Sequence, residues 1–197
     1  MIDATEFVGG NPSLDFVNTI GGIRSGTHDD KLASYEDLLS WAVMSGTLAP
    51  ARRTALAALA RKQPRVAESA LTNAKAIRES MHAVFLALVH GKPAPRTDLT
   101  AMNASIGHVM AHARIHRHGD DYEWGWDDAL TLDAPLWPVL RAAGELLVSG
   151  PTARLRECAS QSCGWLFLDT SKNHSRRWCD MKGCGNRAKV RRYRGVD

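Results

Sequence analysis

Residues 158–194 read CASQSCGWLFLDTSKNHSRRWCDMKGCGNRAKVRRYR and contain all four cysteines of the 197-residue chain. Cys158 and Cys163 form one C-x4-C pair and Cys179 and Cys184 a second, with fifteen residues between the pairs. Two short pairs separated by a loop suit one tetrahedral cation, each pair closing as one claw. Thiolates are soft ligands that fit zinc, and a shell of four leaves no position for a substrate water, so the site is expected to be structural and to hold one Zn2+. A segment of about forty residues buries too little surface to fold alone, so the metal supplies folding energy. The competing readings of the pattern are four unpaired buried thiols and a zinc released on oxidation.

Two disulfides are disfavoured by what precedes the cysteines. The opening MIDATEFVGGNPSLDF has neither a charged n-region nor an apolar h-region, so no secretory signal is expected. No apolar run approaches the roughly 18–20 residues of a membrane helix. A soluble, cytoplasmic protein is the expectation.

Charge is unevenly spread. Residues 151–197 hold 11 Lys/Arg against 4 Asp/Glu, whereas residues 1–150 hold 14 against 17. A basic end of this kind is expected to meet a polyanion. From Lys172 to Arg194 there are nine Lys/Arg and one acid, Asp180. Arg176, Arg177, Arg187, Lys189, Arg191, Arg192 and Arg194 are therefore the candidate nucleic-acid contacts. Asn186 has adenine-reading chemistry, but its place in a turn favours a side-chain-to-backbone bond. Arg187 has a comparable internal alternative, pairing with Asp169 or with carbonyls. Trp165, Phe167 and Trp178 have faces on which unpaired bases stack, although core packing is the better use for them in so small a module.

The rest of the chain reads as mainly α. Leu14–Thr19 is a short apolar segment ending at Gly21-Gly22, followed by a polar loop over 23–30. Ser34 is placed to cap a helix from Tyr35 to Met44, and Pro50 suits the first turn of an Ala-rich helix reaching about Arg61. Residues 64–90 form the clearest helix, with Leu71, Ala74, Ile77, Met81, Val84, Phe85 and Leu88 on one face. A further helix follows Asp98, with Leu99, Met102, Ile106, Val109 and Ala113 on its inner stripe. The period then changes to two: Ala113–His118 and Tyr122–Asp127 predict a β-hairpin. A last helix begins near Asp133 and stops at Gly150-Pro151, the expected boundary between a helical domain (1–150) and the zinc module (151–197). In that module Gly164–Leu168 predicts a strand and Asn186–Arg194 a short basic helix.

Asp15 and Asn18 lie inside an apolar segment. They read either as local backbone caps or as part of a ligand-binding pocket between the N-terminal segment and the helices. His108, His112, His116 and His118 suggest a second metal site, against which stands the plainer reading as surface histidines. Neither a phosphate-cradling loop nor a nucleophile with its base is present, so an enzyme is not expected.

The landmarks C-x4-C, Trp165-Leu166-Phe167, Asp169-Thr170-Ser171, Arg176-Arg177-Trp178-Cys179 and Cys184-Gly185-Asn186-Arg187-x-Lys189 resemble the CGNR zinc finger. Leu14-Asp15-Phe16-Val17-Asn18-Thr19 resembles the opening of the ABATE domain, which precedes this finger in bacterial proteins. The resemblance implies a stress-responsive bacterial transcription regulator whose finger binds DNA and whose helical domain senses a small molecule or protein partner. The preference for DNA over RNA comes from that analogy. A homodimer would add specificity, since a small finger reads only a few bases. The alternative is a zinc-stabilised protein- or RNA-interaction module without sequence-specific DNA binding.

Overall fold

The structure, a computed structural model, describes residues 7–22 and 28–195. The first four helices begin where the sequence supplies N-terminal chemistry, whereas the fifth starts at Arg96 and takes Asp98 into its first turn rather than as its cap. Asn11 caps α1 (Pro12–Val17), its side chain accepting from the Ser13 N–H at 2.9 Å. Ser34 caps α2 (Tyr35–Met44) through a reciprocal pair with Asp37, 3.2 Å in one direction and 2.8 Å in the other. Prolines stand in the first turns of α3 (Pro50–Lys62) and α4 (Pro64–Val89), where the missing N–H costs nothing. Then come α5 (Arg96–Met110), a 3₁₀ turn at Ala134–Leu136, α6 (Trp137–Ser149) and α7 (Asn186–Arg194). The mainly helical expectation holds, with short hairpins and a C-terminal four-cysteine cluster.

The short helix α1 lies at the centre. Leu14, Phe16 and Val17 are fully buried, and α1 packs on both α4 and α6. Trp41, Phe85 and Trp137 fill the space around it. The inner stripe of α4 is buried from Leu71 to Phe85, but Leu88 lies exposed, as do Leu99 of α5 and Val148 of α6. All three stand in the first or last turn of their helices, where the apolar stripe runs past the end of the core.

The strands form three antiparallel pairs: β1 (Ile20–Gly22) with β2 (His28–Asp30), β3 (Ala113–His118) with β4 (Asp121–Trp126), and β5 (Leu155–Glu157) with β6 (Leu166–Leu168). The hairpin after α5 is the one expected. Ala113 faces Trp126 and Ile115 faces Trp124, so Trp126 reaches back to Trp137 while Tyr122 stands in solvent. The loop expected over 23–30 ends instead in strand β2, and residues 23–27 of it lie outside the described residues. Strand β5 has only three residues, two of them charged, and leaves no periodic signal in the sequence.

β6 sorts its side chains by the two-residue period of a strand. Leu166 and Leu168, with Leu155 of β5, join the same hydrophobic cluster as Leu14 and Trp41. Phe167 points the other way and packs with the cysteines, Trp165 and Trp178. One three-residue strand thus faces both the helical core and the cysteine cluster.

Candidate metal centre and basic helix

The first claw sits at the end of the β5–β6 hairpin. Cys158 donates its N–H to the Trp165 carbonyl at 2.9 Å, and Cys163 closes a tight turn onto the Ser160 carbonyl at 3.0 Å. The second claw spans a single wide turn of π-helical geometry, Met181–Gly185, which runs directly into α7. The Asp180 carboxylate accepts from the Gly183 N–H inside that turn. Cys158, Cys179 and Cys184 are buried and Cys163 is partly so.

The four sulfur atoms lie within 4.8 Å of one another. Cys163 and Cys179 are 3.8 Å apart, and Cys179 and Cys184 are 3.6 Å apart. A disulfide needs about 2.05 Å. A regular tetrahedron with metal–sulfur bonds of about 2.3 Å has edges of about 3.8 Å, which is the spacing seen. Among themselves the thiols resist full ionisation. Hydrogen bonds from Cys163 and Cys179 pull the Cys158 thiol far below its usual range, and the same bonds push Cys179 up and Cys163 up to about 12. Four thiolates at this spacing require a cation, and one structural zinc ion meets the requirement.

N–H groups point at the sulfurs from outside, among them the backbone of Ser160 at Cys158 and of Trp165 at Cys163. The Cys179 N–H donates to Cys158 Sγ at 3.4 Å, and Arg187 Nη2 donates to Cys184 Sγ at 3.0 Å. Arg187 therefore pairs neither with Asp169 nor with a carbonyl; it faces a ligand sulfur. Asp169 instead accepts from Ser171 and from the Arg176 N–H, and these bonds hold its carboxyl below the ordinary carboxylate range. Arg176 is also turned inward. Its guanidinium lies 4.4 Å from the Phe167 ring and donates to the carbonyls of Trp178 at 3.0 Å, Val8 at 3.1 Å, and Cys179. Asn186 bonds the Lys182 carbonyl at 3.0 Å. Arg177, Lys189, Arg191, Arg192 and Arg194 are exposed, as is Arg187, and Arg191 reaches Gln161 Oε1 at 3.4 Å. Gly195, with φ of 65°, ends α7 in the left-handed conformation that glycine adopts without strain.

The N-terminal segment grips this centre through the Asn18 side chain and through its own carbonyls. Asn18, 2 % exposed, donates to the Leu166 carbonyl at 2.8 Å and accepts from the Leu166 N–H at 2.9 Å, completing both backbone bonds of a strand residue. Trp165 Nε1 donates to the Ile20 carbonyl at 2.7 Å, and the Leu168 N–H to the Gly9 carbonyl at 2.8 Å. Gly9 admits no side chain, since a Cβ there would lie 2.8 Å from Leu14 Cβ. Asp15 accepts from the Gly9 N–H at 2.8 Å, and burial lifts its carboxyl to about 6 against that bond's lowering effect. Asp15 and Asn18, read from the sequence either as backbone caps or as part of a ligand pocket, here bond backbone groups of Gly9 and Leu166. The pairing of Asn18 with a residue 148 positions away leaves no local trace in the sequence.

The His108 and His112 rings meet edge-on at 5.7 Å, but each is bonded to its own carboxylate. His108 bonds Asp133 at 2.9 Å, and His112 bonds Asp127 at 3.1 Å while stacking 4.1 Å from the Trp137 ring. His116 lies across Gly125 on the hairpin. Among the described residues, the cysteines are the one group of three or more such side chains gathered as metal ligands.

A helical body carrying a closed four-cysteine centre and a basic helix defines a zinc-finger protein. The chain belongs to the ABATE family, described as "Putative stress-induced transcription regulator", whose model matches residues 10–150. Residues 154–195 match the CGNR zinc finger. No curated protein matches the chain. No helix among the described residues is long and apolar enough to cross a membrane.

Proposed function

We propose that the chain is a bacterial transcription regulator of the cytoplasm that binds DNA through its zinc module, residues 151–197, and senses a small molecule or protein partner through residues 1–150. The observation that carries this reading is the exposed row of cations on α7, a helix that contains no acid and begins two residues after Cys184. Zinc held by Cys184 would fix the start of α7, so Lys189, Arg191, Arg192 and Arg194 stand on a rigid base, while Arg177 stands exposed two residues before Cys179. Arg176 and Arg187 serve the base itself. Arg residues are suited to phosphate and to guanine edges, and Lys189 to phosphate. The two matched families are of the regulator and zinc-finger kind, which fits a reader rather than an enzyme.

Five phosphate contacts would give a slope of log affinity against log salt of about −4 to −5. Fluorescence anisotropy of the zinc-loaded chain on duplex DNA between low and moderate salt measures it. A weak, salt-insensitive signal sinks the proposal. A preference for single-stranded RNA favours the second reading, an RNA-interaction module, for which Tyr193 at 94 % exposure and the half-buried Trp178 are stacking surfaces.

A further inference from the structure

The packing of α4 against α5 is incomplete on one side. Alanines and serines dominate the facing positions, and between the two helices and residues 131–140 they leave a cavity of about 690 Å³. That size falls within the range of small-molecule sites. Its inner wall is aliphatic, formed by Ile77, Val109, Leu132, Leu136 and Leu140. One end is polar and charged: Asp133 accepts from both His108 Nε2 and Trp137 Nε1 at 2.9 Å. Neither Asp15 nor Asn18 lines this space.

The charge of the lining is one-sided. The chain has 25 Lys/Arg, yet none is among the lining residues. Arg52, which reaches the Trp137 ring, is tied to the carbonyls of Asp127 and Ala129 and lies outside the cavity. Burial raises the Asp133 carboxyl, but the side-chain bonds from Trp137 and His108 help to outweigh it and hold the group below the ordinary carboxylate range. Because a carboxylate only accepts, His108 Nε2 must carry the proton between them. A phosphate or carboxylate ligand would meet a fixed negative charge and find no Lys or Arg partner. An apolar molecule bearing a protonated amine has complementary chemistry at both ends.

We propose that this cavity is a binding site for a small apolar amine, whose hydrocarbon or aromatic body lies along the aliphatic wall and whose ammonium group faces Asp133. The proposal rests on the reading of the helical domain as a sensor. Its test reads binding directly, so a failure of DNA recognition leaves it standing.

The zinc-loaded full-length chain is titrated with tryptamine, phenethylamine and octylamine, and with their carboxylate counterparts indole-3-propionate, 3-phenylpropionate and nonanoate, while backbone amide NMR shifts are followed. At least one amine should give saturable shifts at Ala70, Ala104 and Leu136, and should bind about tenfold or more tightly than its counterpart, as a charge-assisted contact requires. Asp133→Asn should shrink that preference to about twofold or less. Because Asp133 also anchors His108 and Trp137, a second variant is needed. Ala104→Phe, on the exposed rim of α5, should abolish binding while leaving the far-ultraviolet circular dichroism unchanged. The proposal is overturned if none of the amines shifts the lining, if the carboxylates bind as tightly, or if Ala104→Phe binds normally.

Discussion

Replacing Asn18 with alanine tests how far one side chain helps to hold the finger on the helical body. The carboxamide supplies both partners of Leu166, at 2.8 and 2.9 Å, in a place where Asn18 is 2 % and Leu166 0 % exposed. Truncation leaves a buried N–H and a buried carbonyl unpaired, each costing about 1–3 kcal/mol. Partial entry of water into the space of the lost amide relieves some of this, so a total near 3 kcal/mol is expected. Finger folding and zinc binding are one equilibrium, so the loss appears as metal affinity. At about 1.4 kcal/mol per tenfold, zinc should bind roughly a hundredfold more weakly. Competition against a chromophoric chelator measures the affinity, and hydrogen exchange at the Leu166 amide shows where the protection is lost. Unchanged affinity together with unchanged Leu166 exchange would refute the clamp. Weaker zinc binding with Leu166 still protected would place the cost elsewhere and refute the assigned cause.

Arg187→Ala removes the donor to Cys184 Sγ and should speed zinc release to a chelator by about tenfold or more, as loss of an outer hydrogen bond to a ligand does, while the DNA salt slope changes by less than about one; a normal release rate with a slope reduced by a full unit reverses that assignment. Arg191→Ala with Arg192→Ala should lower the magnitude of the salt slope by about two, and an unchanged slope removes both from the contact set. Cys179→Ser should release zinc and unstructure the C-terminal end, read by metal content and by loss of amide dispersion after residue 155; retention of both contradicts the four-sulfur centre. Asp15 has a folded-state pKa raised to about 6, so its neutral form favours folding fully below the unfolded value near 4, and that contribution is lost as pH rises toward 6. Asp15→Asn keeps the acceptor for Gly9 and should match the parent at pH 4 but exceed it by up to about 3 kcal/mol above pH 6. Urea unfolding of both proteins across that range gives the difference, in which the zinc contribution cancels; a pH-independent difference counts against the buried carboxyl.

Much of the helical body was legible because its signals are local. The Ser34–Asp37 capping box, the prolines at 50 and 64 and the face from Leu71 to Phe85 each state a helix within a few residues, and the observed boundaries follow them closely. Failures came where a stripe outlasts the core, at Leu88, Leu99 and Val148, and where a strand is too short to show a period, at β5.

By itself the sequence determined the metal and the sign of the surface beside it. Cysteine spacing dictates how two turns can close on one ion, and charge density needs no coordinates to be counted. Only the tertiary structure shows which arginines bond inside the module. Arg176 and Arg187 look like their neighbours in one dimension, but one lies half-buried against Phe167 and the other, though exposed, turns one donor onto Cys184 Sγ. It also decided the roles of Asn18 and Asp15, whose partners come from folding rather than from adjacency. Contacts of that kind depend on where two distant backbones meet, and no short window of residues records that.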